Sequence, residues 1–298
     1  MAMTYTSLSA AKGVAGSLKN WVSYSLLDVT TIIDEAQALV YSALRCREML
    51  TSMQFTMSVG GASFALPARF LDPIGRMRFT GFNLPVRHKD SSFVETNRNY
   101  TELSGTLGTN PFTTVSGSNV VTVNLTGHGF SQDSIINTSG ATIFNGVIIN
   151  GTFQVTSIVD ANNFTIDITV LGTTPSAGGA GGGSAVAYII DNLVQGMPVC
   201  WGIWDEAIHF DTAFTQVSLG RLQYYQSLPL LSVTNQSNFL TNRYPQLMRR
   251  ACVAAAADFM KDDQEYQKDF TALQGIVQQI NIENDMGMRG MELDTETP

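Results

Sequence analysis

The chain has 298 residues, 44% of them hydrophobic and 14% charged, so it can bury two cores of ordinary size while carrying far less charge than the roughly 25% of a typical soluble domain. A formal net charge of −8 argues against a protein that grips nucleic acid, because phosphate contacts need clustered Lys and Arg. Cys46, Cys200 and Cys252 are odd in number and far apart, which excludes a disulfide framework and zinc spacing and reads as buried free thiols in a reducing compartment.

No apolar h-region of a signal peptide is visible in the first twenty residues, and no apolar run approaches the about 18 residues of a membrane span. From Leu18 to Leu27 a short helix is expected, with Trp21, Tyr24 and Leu27 three apart. A stronger helix is expected from Thr31 to about Met53, where Ile32, Ala36, Leu39, Val40, Ala43, Leu44 and Leu50 recur at three- and four-residue spacing. Thr30 or Thr31 would cap it, with Asp34 and Glu35 in its first turn. From Gln54 the period changes to two. Phe55, Met57 and Val59 alternate before Gly60-Gly61, and Phe64 and Leu66 follow, which predicts a hairpin.

Charge then almost disappears. Between Ser104 and Ile190 there is no Lys, Arg or Glu, and Asp133, Asp160 and Asp167 are the only acids. Strand alternation runs through Val121, Val123 and Leu125, through Phe153 and Val155, and again through Phe164, Ile166 and Ile168 after the turn Asp160-Ala161-Asn162-Asn163. This predicts an inserted all-β module at 105–188. The glycine-rich tract Gly178 to Ser184 reads as a flexible hinge returning to the main body; with no Lys in the module it is no P-loop. Several Asn-x-Ser/Thr triplets fall in this Thr- and Asn-rich region, where chance explains them. Further strands are expected around Trp201 to Leu219 and from Leu222 to Leu231. Pro245 opens an Ala-rich helix, and after Asp262-Asp263 the residues Tyr266, Phe270, Leu273, Val277 and Ile280 form a heptad-like stripe suited to packing on another helix, within the subunit or across to a neighbour. Residues 286–298 read as a tail. The resulting fold class is α+β: a helical bundle from N- and C-terminal helices with a small antiparallel β region (1–104 and 189–285), plus the inserted all-β domain.

Chemistry is hard to find. His88, His128 and His209 share no metal spacing, and His128 reads as a turn residue whose ring bonds backbone. No Gly-x-Ser-x-Gly elbow occurs, and the adjacent carboxylates Asp205-Glu206 would point to opposite faces of a strand. The expectation is a protein without catalytic, metal or cofactor residues.

The ordered set Phe64-Ala-Leu-Pro67, Leu222-Gln-Tyr-Tyr225, Leu228-Pro-Leu-Leu231, Asn242-Arg-Tyr-Pro245 and Asp258-Phe-Met260 resembles the head-to-tail adaptor (connector) proteins of short-tailed bacteriophages. The middle module, through Val121-Thr-Val-Asn-Leu125, Gly127-His-Gly-Phe130 and Asn150-Gly-Thr-Phe-Gln-Val155, is similar to small β domains inserted in phage neck and tail proteins. What the resemblance implies is a virion protein of the neck or tail, assembled in the host bacterial cytoplasm. It would form a homo-oligomeric ring, usually of twelve copies, beneath the portal protein. The ring would contact the tail nozzle and tail fibres and pass viral DNA without sequence-specific binding during genome ejection. It also implies a C-terminal arm docking on the portal through Met286, Met288, Arg289, Met291 and Leu293, with subunit packing along Tyr266, Phe270, Leu273, Val277 and Ile280. The alternative is a host-binding tail fibre or receptor-binding protein using the β module, against which helices at both ends count.

Overall fold

The computed structural model describes residues 4–10, 13–15, 28–80 and 85–292, with side chains as far as 283. The helix expected at 18–27 lies outside the described residues. Two compact units emerge. A helical unit comprises Met1–Thr51, Ala68–Pro73 and Tyr224–Pro298, and a β unit comprises Ser52–Pro67 and Ile74–Gln223. The boundaries expected near 105 and 188 fall inside the β unit.

The expectation of a helical bundle with a small β region is overturned, because the chain is mostly β. In chain order the strands are β1 (Leu50–Met57), β2 (Ser63–Ala65), β3 (Phe70–Phe79), β4 (Arg87–His88), β5 (Tyr100–Thr106), β6 (Phe112–Thr114), β7 (Val120–Asn124), β8 (Ile135–Ser139), β9 (Gly151–Asp160), β10 (Asn163–Asp167), β11 (Gly179–Gly181), β12 (Ala187–Leu193), β13 (Gln195–Gly196), β14 (Cys200–Trp204), β15 (Ala207–Phe210), β16 (Ala213–Phe214) and β17 (Ser218–Gln226). They pair as an eight-stranded sheet β11-β6-β7-β10-β9-β8-β12-β5, a four-stranded sheet β2-β15-β14-β4, a three-stranded sheet β1-β17-β3 and the pair β13-β16. The helices are α1 (Tyr5–Ser9), α2 (Val29–Ala43), α3 (Ser91–Asn97), α4 (Phe239–Arg243), α5 (Pro245–Phe259) and α6 (Asp263–Glu292).

In the helical unit α5 packs against both α2 and α6. Ala251 and the run Ala254 to Ala257 are buried, and their small side chains let neighbouring helices sit on α5. Arg250 and Asp269 join α5 to α6 at 2.6 Å. Helix α2 ends about ten residues earlier than its apolar spacing implied. Asn281 of α6 accepts from the Arg45 N–H at 2.8 Å and donates to the Ala43 carbonyl at 3.1 Å, which closes the helix end with a side chain from 238 residues away. Beyond it Leu50, expected to be helical, begins β1. The N-cap is Asp28, so Asp34 and Glu35 lie past the first turn. At the other terminus the α6 backbone continues to Glu292, through residues expected to have no fold of their own.

In the β unit the period-two pattern holds. Val121 faces Ile166 and Val123 faces Phe164 across β7 and β10, all four are buried, and they join Phe112, Phe130, Phe153 and Ile190 in one core. Gly60-Gly61 does turn the chain, but the flanking strands diverge. β1 pairs with β17 and β2 with β15, so the expected hairpin does not form. A second aromatic core gathers Phe55, Phe64, Phe79, Phe210 and Phe214, with Phe55 stacked on Phe64 at 4.1 Å.

The glycine tract is no hinge. β11 pairs with β6, and a Cβ on Gly181 would sit 2.3 Å from the Phe144 ring. Glycine is used there so that backbone can lie against an aromatic face. Gly220 does the same job in the aromatic core, where a Cβ would meet Phe55 at 2.3 Å and Phe79 at 2.7 Å. Gly220→Ala should therefore destabilise the protein by about 1–3 kcal/mol through overpacking. Gly275→Ala, on α6 where a Cβ meets nothing within 4 Å, should stabilise it by about 1 kcal/mol. Denaturant unfolding of the two variants beside the parent reads both signs.

Candidate functional site

The most polar interior position is Asp133. It precedes β8 in a left-handed conformation (φ 65°) and is 6% exposed. Its carboxylate accepts from Arg98 Nη2 and from His209 Nδ1, both at 2.8 Å on Oδ2, and from Ser63 Oγ at 3.2 Å and Gln154 Nε2 at 3.4 Å on Oδ1. Arg98 also donates from Nε to the Phe210 carbonyl at 3.0 Å. Its guanidinium lies 5.1 Å over the Trp204 ring, which stacks on His209 at 4.0 Å and 8°. Burial alone would push the Asp133 carboxyl up, but the His209 hydrogen bond and the Arg98 charge outweigh it and hold the group below the ordinary carboxylate range.

A Ser, a His and an Asp in contact invite a triad reading, and the connectivity rules against it. Ser63 donates to the carboxylate, not to the imidazole. Because an ionised carboxylate only accepts, His209 carries its proton on Nδ1, which leaves Nε2 as the atom that would act on a substrate. Nε2 is enclosed with no partner among the described residues. The arrangement can hold the Asp133 loop and four other segments of chain together; it has no exposed nucleophile or base.

The loop Gly127-His128-Gly129-Phe130 is settled in the same manner. His128 Nδ1 accepts from the Phe130 N–H at 2.9 Å and Nε2 bonds the Asp160 carbonyl at 3.0 Å, so the ring is a backbone clamp. Burial pulls its pKa below the usual histidine value. Beside it a cleft of ≈ 560 Å³ is lined by Val59, Phe130, Ile158, Val159 and Ala161, an apolar wall with no charged side chain converging except Asp160. Asp205 and Glu206 lie in no strand. Both adopt positive φ (48° and 56°) and form the two-residue turn joining β14 to β15. All three cysteines are free and buried, and burial pushes their thiols up, Cys46 and Cys200 to about 11 and Cys252 to about 12.

Of the residues expected to pack between subunits, Leu273, Val277 and Ile280 are buried inside the helical unit. Tyr266 and Phe270 are half-buried and stack on each other at 5.3 Å. Phe270, Leu273 and Val277 line a groove of ≈ 280 Å³ with Leu39 and Ala43 of α2, so the stripe serves its own fold first. Met286, Met288, Arg289 and Met291 ride on the last turns of α6, where only backbone is described, and Leu293 lies outside the described residues.

The sequence reading missed Asp133. Its signal was present: an acid in a stretch without cations is a candidate for burial, though its charged and imidazole partners sit 35 and 76 positions away.

No protein-family model matches the chain, and no curated protein matches it. Among solved structures it is similar to the phage phi92 endosialidase, at 16% identity and a TM-score of 0.26, over 53% of this chain. The chain spans 20% of the length of that enzyme. A TM-score so low carries neither fold nor function across.

Asp133→Asn should leave the buried Arg98 with only the solvent-exposed Glu95, 3.5 Å from Nη1, as counter-charge and cost about 3 kcal/mol of unfolding free energy. Because the folded state holds this carboxyl below its unfolded value of 3.8, the unfolded chain takes up the proton first, so stability present above pH 3.8 is lost as the pH falls further. Acid titration of unfolding should show that loss in the parent and a flatter profile in the Asn variant.

Proposed function

We propose that the protein is a non-enzymatic virion protein of a tailed bacteriophage, placed in the tail region, that works by holding partner molecules on the surface of its β unit. The observation that supports this is the Asp133 carboxylate, which is buried in the β unit and met there by four donors. Arg98 and His209 are buried and both bonded to Asp133, and the remaining imidazole nitrogen, His209 Nε2, is enclosed. Between residues 104 and 190 the β unit carries three acids and no Lys, Arg or Glu, and large apolar side chains there are exposed, including Ile143, Val170 and Ile189. Exposed apolar groups of this kind mark contact surfaces when they cluster. A host-binding or receptor-binding tail protein uses such a module as its working end.

A second reading has its own support. Helices from both ends of the chain, α2, α5 and α6, pack together, and these segments carry part of the likeness to head-to-tail adaptors. In that reading the protein joins a ring of about twelve copies under the portal and continues the DNA channel. A closed ring needs two different complementary faces on each copy.

Mass photometry of the purified protein, alone and mixed with a portal, separates the two. A stable free trimer that adsorbs to host cells is the expected result for a receptor-binding protein. A monomer that assembles on the portal with twelve-fold stoichiometry is the expected result for an adaptor. A lone subunit that ignores both portal and cells, or that clears cell-wall glycan in a zymogram, would overturn the proposal.

A further inference from the structure

The eight-stranded sheet ends at β5, and all seven residues of that strand are exposed. Its hydrogen-bonding parity follows from the flanking bonds. Leu107 N–H donates to Val186 O at 2.8 Å and Val194 N–H to Asn99 O at 2.9 Å, so the odd-numbered residues of β5 face β12. Tyr100, Glu102, Ser104 and Thr106 therefore aim their N–H and C=O groups away from the sheet. That makes an open edge four residues deep in donors and acceptors, a ready template for an added strand.

The same parity makes Glu102 and Asp191, cross-strand partners on β5 and β12, a non-hydrogen-bonded pair, the geometry in which side chains approach most closely. Like charges so placed repel. Neither carboxylate has a partner among the described residues, and the chain carries no Lys or Arg from Asn99 to Gly220. On the opposite face of β5, Leu103 remains 40% exposed beside the buried Ile190.

We propose that β5 is the docking edge for an extended segment of a partner protein that alternates cationic and aliphatic residues. Such a strand would pair with the outward backbone groups of Tyr100 to Thr106. Its Lys or Arg side chains would meet Glu102 and Asp191 on one face, and its aliphatic side chains would cover Leu103 on the other. A second copy of this chain fits poorly, because its β5 would bring another Glu102 and no cation. The inference rests on the reading of the β unit as a partner-binding module and names its partner class.

The test uses the full-length protein and a synthetic probe, an acetylated eight-residue strand alternating Lys and Val, titrated by calorimetry. Controls are the same peptide with Glu for Lys, and one N-methylated on alternate residues to remove its edge hydrogen bonds. The Lys-Val strand should bind, and both controls should lose about tenfold or more. Glu102→Gln should weaken the Lys-Val strand about fivefold while raising the melting temperature of the free protein, since it removes a repulsion. Equal binding of the acidic strand, no binding at all, a lower melting temperature in Glu102→Gln, or a dimer in sedimentation that this variant alters would each overturn the inference. Loss of peptide binding in a protein that still assembles on a portal or adsorbs to cells sinks the edge assignment alone; the broader reading falls only if those assemblies fail too.

Discussion

One buried carboxylate organises the β unit. Asp133 has been taken out of water, which costs several kcal/mol for a charge of this size unless that charge is met by partners. Its two oxygens receive four donors drawn from the segment before β5, from β2, from β9 and from β15. The cost of desolvation thereby becomes a constraint on geometry: a slip of one residue in β15 would turn His209 to the other face and strand the charge. The loop around Asp133 is stitched with equal care. Gln132 receives the Ala62 and Ser63 N–H groups, and Asn192 receives the Ser131 N–H at 2.8 Å, so the acid cannot drift from its partners.

A charged anchor of this kind adds something that apolar burial does not. The phenylalanine core of the same unit is non-directional and would accept several arrangements of rings at similar free energy. Arg98 is directional. Its guanidinium spends Nη2 on Asp133, Nε on the Phe210 carbonyl and its face on Trp204, and a planar fork can meet those three requirements in one pose. Trp204 then fixes the plane of His209. Specificity of packing comes from these few polar contacts, and bulk stability comes from the rings around them.

How much of this was legible beforehand depended on the range of the interaction involved. Alternation over Val121-Val123 and Phe164-Ile166 is a local signal of one buried face, and it placed β7, β10 and the turn at Asp160 correctly. The overestimate of α2 has a non-local cause: Leu44 and Leu50 keep helical spacing, yet Asn281 ends the helix at Ala43, and nothing near residue 43 announces it. Gly60-Gly61 signals a reversal without saying which strands will pair afterwards. The tract around Gly181 looks like a linker by composition, because composition cannot distinguish glycine chosen for freedom from glycine chosen to admit Phe144. The class of the fold was misjudged for a related reason. Strands as short as β13 to β16 show little periodicity, so the β content outside the middle module was read as a small appendage to helices.

The interior and the rim of the eight-stranded sheet obey opposite rules. Inside, the Asp133 charge is answered several times over, and His128, expected from its glycine-flanked setting to be a turn residue, has both ring nitrogens bound to backbone. At the rim, β5 leaves a row of backbone groups open and Glu102 faces Asp191 with nothing between them. A fold that satisfies a buried acid so completely had the means to pair or blunt its edge, by a proline, a bulge or a single lysine on β12, the devices by which sheet edges are ordinarily protected. The absence of cations from Asn99 to Gly220 removes the last of these from the whole sheet. Acidic side chains there keep like edges apart while leaving the strand open to a segment of opposite charge, so the same two carboxylates can discourage self-association and select a partner.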